Sequence, residues 1–425
     1  MPSRLSSWLT PAAWVAAVSA ALLLVFPVGF PNYDTIYALV WGRELAHGVS
    51  PDYGAALPPT PHPLADLLGL VTTPIGDGAI TVTMIVAYAS LGLIGYLVYR
   101  LGSLWFDRWI GAVAAAIVLT RAPFLSNGLR AYVDLPYIAL CLGALTIEAR
   151  RPRAGWAVLA LLVPAGLLRP EAWGFAIVYW AWLAFSAERA PESGPTGRKP
   201  VDISGNRPIG RLFGWELGWR GERGTRELAW LAALALAGPV LWLLFDGITT
   251  GNFLYSLTGT QETVETLKRQ TGPIDLVLYG PRRLGEVLQW PGMVGALGGV
   301  VLGFAFLRRR SALGIVAVVL SLGAFALLAC AGLAIIARYT MLAGAVLSIF
   351  VAVALLGWRL LEPGHPWRRP WQVFSGVVLL MFLVWLPNQW DLDSTVHRDL
   401  TNQGTIERDL TDLVNAGAMD DRAPA

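Results

Sequence analysis

Charge is scarce in this 425-residue chain. Asp, Glu, Lys and Arg make up 14% of it and hydrophobic residues 55%, whereas soluble domains carry about 25% charged residues. With a mean hydropathy of +0.54, that scarcity excludes a soluble globular protein and implies an integral membrane protein. Cysteine is nearly absent. Cys141 and Cys330 lie inside apolar runs far apart in sequence, so neither a disulfide framework nor a cysteine metal site is expected. There is no basic patch with interleaved aromatics, which argues against nucleic acid as a partner, and no repeat at a fixed short period.

What the chain has in quantity is long apolar runs. Stretches of ~20 such residues cross a bilayer as helices because hydrocarbon offers an open backbone no hydrogen-bond partner. Eleven are expected, at 12–30, 77–99, 109–120, 131–147, 154–168, 172–186, 228–246, 292–307, 312–336, 340–357 and 373–387. The fold class is thus an all-α polytopic membrane protein. The length of the first run, and the many runs behind it, predict a retained anchor rather than a cleaved leader. Short arginine-rich loops, Arg150-Arg151-Pro152-Arg153, Arg308-Arg309-Arg310 and the stretch from Arg359 to Arg369, mark the cytoplasmic side by the positive-inside rule. The N-terminus is then cytoplasmic and the C-terminus outside, in a multi-pass plasma-membrane protein. Four segments follow: a transmembrane module 1–246, an outer loop 247–291 with juxtamembrane helices, C-terminal helices 292–387, and a polar acidic outer tail 388–425. Within the first, 31–76 is a Pro-rich outer loop. The cytoplasmic stretch 187–227 lacks apolar periodicity and is expected to be partly disordered.

Ionisable groups beside spans are costly and tend to face cavities, so their placement is informative. Asp34 lies just past the first run, in Asn32-Tyr33-Asp34-Thr35-Ile36-Tyr37, and Asp134 begins the fourth. Arg169-Pro170-Glu171 links the fifth and sixth runs, and Arg338-Tyr339 the ninth and tenth. His62 sits in the first outer loop, Arg282 and Arg283 in the second. All fall on the outer side, where the positive-inside rule disfavours arginine. An anionic ligand would account for them, because a guanidinium stays charged when desolvated and pairs bidentately with phosphate. Plainer readings stand beside this one: Asp34 as a helix cap, Asp134 as a first-turn acid with Pro136 near the helix start, the arginines as snorkelling anchors, and Trp41, Trp173, Trp180, Trp182 and Trp290 as belt residues.

Taken in order and on one membrane side, these elements resemble the GT-C superfamily of membrane glycosyltransferases, which includes protein O-mannosyltransferases and aminoarabinose transferases. The likeness rests on Tyr33-Asp34, Gly48 and Pro61-His62-Pro63-Leu64 in the first outer loop, on Asp134-Leu135-Pro136, on Leu168-Arg169-Pro170-Glu171-Ala172, and on Arg338-Tyr339. It covers residues 10–185 best and 330–355 next. The resemblance implies a GT-C-like fold and inverting transfer of a sugar from a polyprenyl-phosphate donor to an acceptor on the outer face, whether protein, lipid or polysaccharide. It makes Asp34 the general base and assigns Arg169 and Arg338, with Arg282 and Arg283, to the lipid phosphate. Asp134 would orient the sugar or an arginine, His62 would contact sugar or phosphate, and Glu171 and Tyr339 complete the substrate-binding set. Many members carry an adjacent acidic pair in the first loop. Here Thr35 follows Asp34, which weakens a metal-dependent variant while leaving Mg²⁺ or Mn²⁺ open as a cofactor. A transporter or flippase of lipid-linked or anionic substrates is the alternative, and would be marked by inverted repeats and helices broken near the midplane. The two readings part on whether Asp34, Asp134, Arg169 and Arg338 line one outward-opening cavity.

Overall fold

The computed structural model describes residues 4–26, 29–53, 58–189, 207–212, 215–219 and 223–415. In chain order the helices are α1 Arg4–Val25, α2 Tyr33–Ala46, α3 Pro63–Thr72, α4 Gly78–Trp105, α5 Arg108–Leu119, α6 Ala122–Leu129, α7 Asp134–Arg150, α8 Trp156–Leu168, α9 Glu171–Ala184, α10 Thr225–Thr250, α11 Tyr255–Thr266, α12 Gly272–Phe306, α13 Arg308–Cys330, α14 Met341–Leu356 and α15 Arg368–Asn415. Three short strands, β1 Phe185–Arg189, β2 Arg207–Leu212 and β3 Trp215–Trp219, pair antiparallel in the order β1-β3-β2. The stretch expected to be partly disordered contains the paired strands β2 and β3; positions 190–206, 213–214 and 220–222 lie outside the described residues.

Each of the eleven apolar runs overlaps a helix, yet among the described residues six helices are long and apolar enough to cross a membrane, or seven if α5 and α6, bent by 60° at Thr120–Arg121, form one broken span. Helices α7, α8 and α9 have 17, 13 and 14 residues. At 1.5 Å per residue they reach about 25, 20 and 21 Å, short of a hydrocarbon core of about 30 Å. Several boundaries need correction, and α4 runs on to Trp105 rather than 99. Helix α1 stops at Val25, not at 30. Helix α13 stops at Cys330, not at 336, because the chain turns through Gly332 at φ +87° and leaves 331–336 non-helical. Helix α15 passes through Pro387 and on to Asn415, so most of the expected tail is helical. It is held there by Leu400, buried against Phe26, Phe30, Tyr88, Leu125 and Leu129.

Helix α14 forms the core. Every residue from Met341 to Ala354 is buried, and its one deep hydroxyl, Ser348 Oγ, donates to its own helix at Gly344 O. Without a hydrophobic drive between helices in lipid, close approach relies on small residues. Glycines supply it here. A Cβ on Gly299 of α12 would stand 1.8 Å from Phe350 O of α14, and one on Gly111 of α5 would stand 2.4 Å from Tyr99 O of α4. Helix α12 itself breaks at Gln289 (φ +61°, ψ 168°). The limb before the break carries exposed Ile274, Val277 and Leu278, and only the limb after it matches the expected span 292–307.

Gly299→Ala is therefore expected to lower stability by about 1–3 kcal/mol through forced separation of α12 and α14. Gly323→Ala, where a Cβ meets nothing within 4 Å, should be neutral or slightly stabilising. Thermal unfolding of the two variants in detergent checks the contrast.

Candidate active site

The site begins at the entry to α2. Asn32 Oδ1 accepts from Asp34 N at 2.8 Å and Thr35 N at 3.3 Å, so Asn32 is the cap. The Asp34 carboxylate is released for another task. The same Asn32 ties α2 to the α6–α7 turn: its backbone N and its Nδ2 both donate to Arg130 O at 2.8 Å, and Thr35 Oγ1 donates to Ala131 O at 2.8 Å. Ala131 adopts φ +52° in this turn, which leads directly into Asp134. Helix α3 is set against α2 through glycine, since a Cβ on Gly42 would meet Asp66 O at 2.3 Å and one on Gly69 would meet Ala38 O at 2.6 Å. That contact fixes the start of α3, and with it His62, relative to Asp34.

Four charged side chains from four elements then meet. Arg169, the residue following α8, donates to Asp134 Oδ1 at the first turn of α7. Arg338, in the short turn before α14, donates to Asp34 Oδ2 at 3.2 Å and stands 3.8 Å from Asp134 Oδ2. The order is Asp34, Arg338, Asp134, Arg169. Arg169 and Asp134 are almost wholly buried, whereas the side chains of Arg338 and Asp34 keep about a quarter of their exposure, 26% and 27%. Each guanidinium also lies over an aromatic ring, Arg169 over Tyr339 at 5.0 Å and Arg338 over Tyr132 at 4.6 Å, within cation–π range. Such double fixing holds the cations in place before any ligand arrives.

Asp34, His62, Arg169, Arg338 and Tyr339 all line one partly open cavity of about 570 Å³. Asp134 backs the arginines, and Glu171, buried at the first turn of α9 with Oε2 unpartnered, lies behind the lining. Arg282 and Arg283 do not belong to it. Arg282 has a side chain 74% exposed and faces Glu286 at 3.5 Å. Arg283 binds Glu286, Gln270 Oε1 and Ile335 O, each at 2.9 Å, and so braces the 331–336 segment that leads to Arg338. Adjacent positions on a helix point about 100° apart, and here neither direction is inward.

Two tryptophans join this lining, Trp173, which the sequence offers as belt residue or sugar platform, and Trp242, which the sequence does not single out. Trp173 and Trp242 line the cavity, stacked edge to face at 5.7 Å, with the His62 ring against Trp242 at 5.7 Å. Trp242 Nε1 donates to Ser256 Oγ, which donates to Asp246 Oδ1. Only the Trp content hinted at this, and it is equally suited to a membrane belt. Burial and the nearby Arg169 push His62 down to about pKa 3, so it faces the cavity as a neutral ring, with Nδ1 buried and unpartnered. Asp66 is fully buried with neither carboxyl oxygen partnered, and burial raises its pKa well above the usual range. A separate apolar cleft of about 410 Å³ runs between α7, α8, α9, α13 and α14, lined by Leu162, Phe175, Trp182, Leu313 and Val346. Among the described residues no three His, Cys, Asp or Glu converge to hold a metal ion. No protein-family model matches the chain, and no curated protein does.

Removing one partner of a buried ion pair leaves an uncompensated charge. Asp134→Ala is expected to cost about 3–5 kcal/mol and the double variant Asp134→Leu with Arg169→Met to recover most of it, read by thermal unfolding. His62 gives a pH signature. Its folded pKa lies below the unfolded one, so the unfolded chain takes up a proton that the folded chain refuses. Stability should therefore fall as pH drops from about 6.5 toward 3, by at most ~1.4 kcal/mol per unit. His62→Gln should flatten that slope; equal slopes in both proteins would mean the ring is solvated.

Proposed function

We propose that this protein is an inverting membrane glycosyltransferase that moves a sugar from a polyprenyl-phosphate donor to an acceptor hydroxyl at the outer face, in a chain crossing the membrane eleven times with its N-terminus inside. One observation carries the reading: two arginines and a carboxylate, drawn from links far apart in sequence, line a single cavity with a second carboxylate holding both arginines. The separate cleft between α7, α8, α9, α13 and α14 is apolar enough to take a lipid chain.

The chemistry follows from the geometry. The acceptor oxygen attacks the anomeric carbon while the bond from that carbon to the phosphate oxygen breaks, and its electron pair leaves with the lipid phosphate. Asp34 takes the hydroxyl proton on Oδ1, since Arg338 occupies Oδ2. A base so placed is worth about 10²–10⁴-fold in rate. Arg338 and Arg169, fixed by Asp34, Asp134 and their aromatic partners, stabilise the charge gathering on the phosphate without reorganising. The neutral His62 ring lines the cavity and offers the sugar a contact face beside Trp242. Asp34 and Asp134, the carboxylates beside the arginines, are already engaged by them. The transporter reading retains one observation in its favour, the broken helices α5–α6 and α12.

The test uses purified protein in lipid with a panel of labelled polyprenyl-phosphate sugars and a membrane extract as acceptor source. Wild type should transfer label, and Asp34→Asn should lose about 10²–10⁴-fold while still binding donor. Donor binding without transfer by either protein would favour the transporter; equal transfer by both would remove Asp34 from the chemistry.

A further inference from the structure

A charge balance over the cavity leaves the phosphate short of a cation. Arg169 is matched by Asp134 and Arg338 by Asp34, so these four fixed charges sum to zero; His62 is neutral, and a further lining carboxylate, Asp246, accepts from Ser256 N and Oγ. An incoming phosphate therefore meets no net positive charge from the residues already assigned. Among the described residues one other cation lines the cavity, Arg269. It is exposed, and among the described residues no carboxylate lies within ion-pair distance of it.

Its backbone, by contrast, is firmly placed. Arg269 N donates to Val264 O at 2.9 Å and Lys268 N to Glu265 O at 3.0 Å, with Lys268 at φ +50°. On the other side Gln270 O accepts from Ile335 N at 2.9 Å, Gln270 Oε1 accepts from Arg283, and Thr271 Oγ1 donates to the carbonyls of Ala329 and Leu333. The α11–α12 turn is thus stitched to the segment that leads into Arg338. A fixed stem with a free guanidinium suits an anion arriving at the cavity mouth, where Leu254, Leu257 and Leu267 form an exposed apolar rim.

We infer that Arg269 is a phosphate-capturing residue: it supplies a lining guanidinium that no carboxylate matches, which draws the lipid phosphate ester into the cavity, ahead of its seating against Arg169 and Arg338. The inference rests on the glycosyltransferase reading for its ligand. An exposed cation acts through water and is screened within a Debye length, ~10 Å at 0.1 M salt and shorter above it, whereas the buried arginines are not.

The experiment measures binding of a fluorescent polyprenyl phosphate to the full chain in phosphatidylcholine nanodiscs, at low and high sodium chloride. Arg269→Gln should weaken binding about fivefold at low salt, the scale of one exposed ion pair, and the deficit should vanish at high salt. Arg269→Lys should keep most of the low-salt affinity, and Arg338→Gln should weaken binding at both salts. Displacement by inorganic phosphate would identify the free ion as an equally good ligand of Arg269, and its failure assigns the lipid ester. Unchanged low-salt affinity in Arg269→Gln, or a deficit that persists at high salt, overturns the inference while leaving the proposed function intact. No binding by wild type would remove the proposed function as well.

Discussion

A guanidinium taken out of water must be met by a carboxylate, or its burial costs several kcal/mol. Arg169 is buried and Asp134 meets it; Arg338 stands against the same Asp134 and against Asp34. Because these residues belong to α2, to the first turn of α7, to the link after α8 and to the turn before α14, their pairing fixes where four chain segments can lie. As a source of stability this arrangement is a poor bargain compared with packed hydrophobic residues. It is far better suited to holding cations rigid beside a cavity.

That rigidity is built from modest local devices. Asn32 caps α2 and fastens it to the α6–α7 turn, while glycines bring α2 onto α3 and α12 onto α14. Arg283 and Thr271 reach across to hold the backbone carbonyls around 329–335. None of these contacts touches the cavity chemistry, but each limits how far Asp34, His62 or Arg338 can drift.

Much of this was legible in the sequence, for a physical reason. Charged residues in very short links between apolar runs have few places to go, so Arg169-Pro170-Glu171 and Arg338-Tyr339 could be read as boundary residues facing a shared space. Arg282 and Arg283 could not, because in a long loop nothing in the sequence says which way a helix is turned. Asp34 and Asn32 both qualify as caps by residue type, and only the structure separates the cap from the free carboxylate. The break in α12 at Gln289 and the end of α13 at Cys330 were hidden inside runs whose hydropathy carries on regardless. The tryptophan pair was hidden differently: Trp173 and Trp242 fit a membrane belt as well as a cavity, and only the packing that sets one ring against the other distinguishes them. The strand pair β2 and β3 lies in a polar stretch with no alternation to announce it.

The glycine seam between α2 and α3 has one more consequence. With no side chain between the two helices, the offset between Asp34 and the start of α3 is set by backbone against backbone. Drift in side-chain size cannot retune it, so this half of the cavity behaves as a fixed jaw. The α10–α11 half, held by side-chain contacts such as Trp242 to Ser256 and Thr60 to Thr260, can change shape one residue at a time. A lineage of such proteins would diversify its ligands there first.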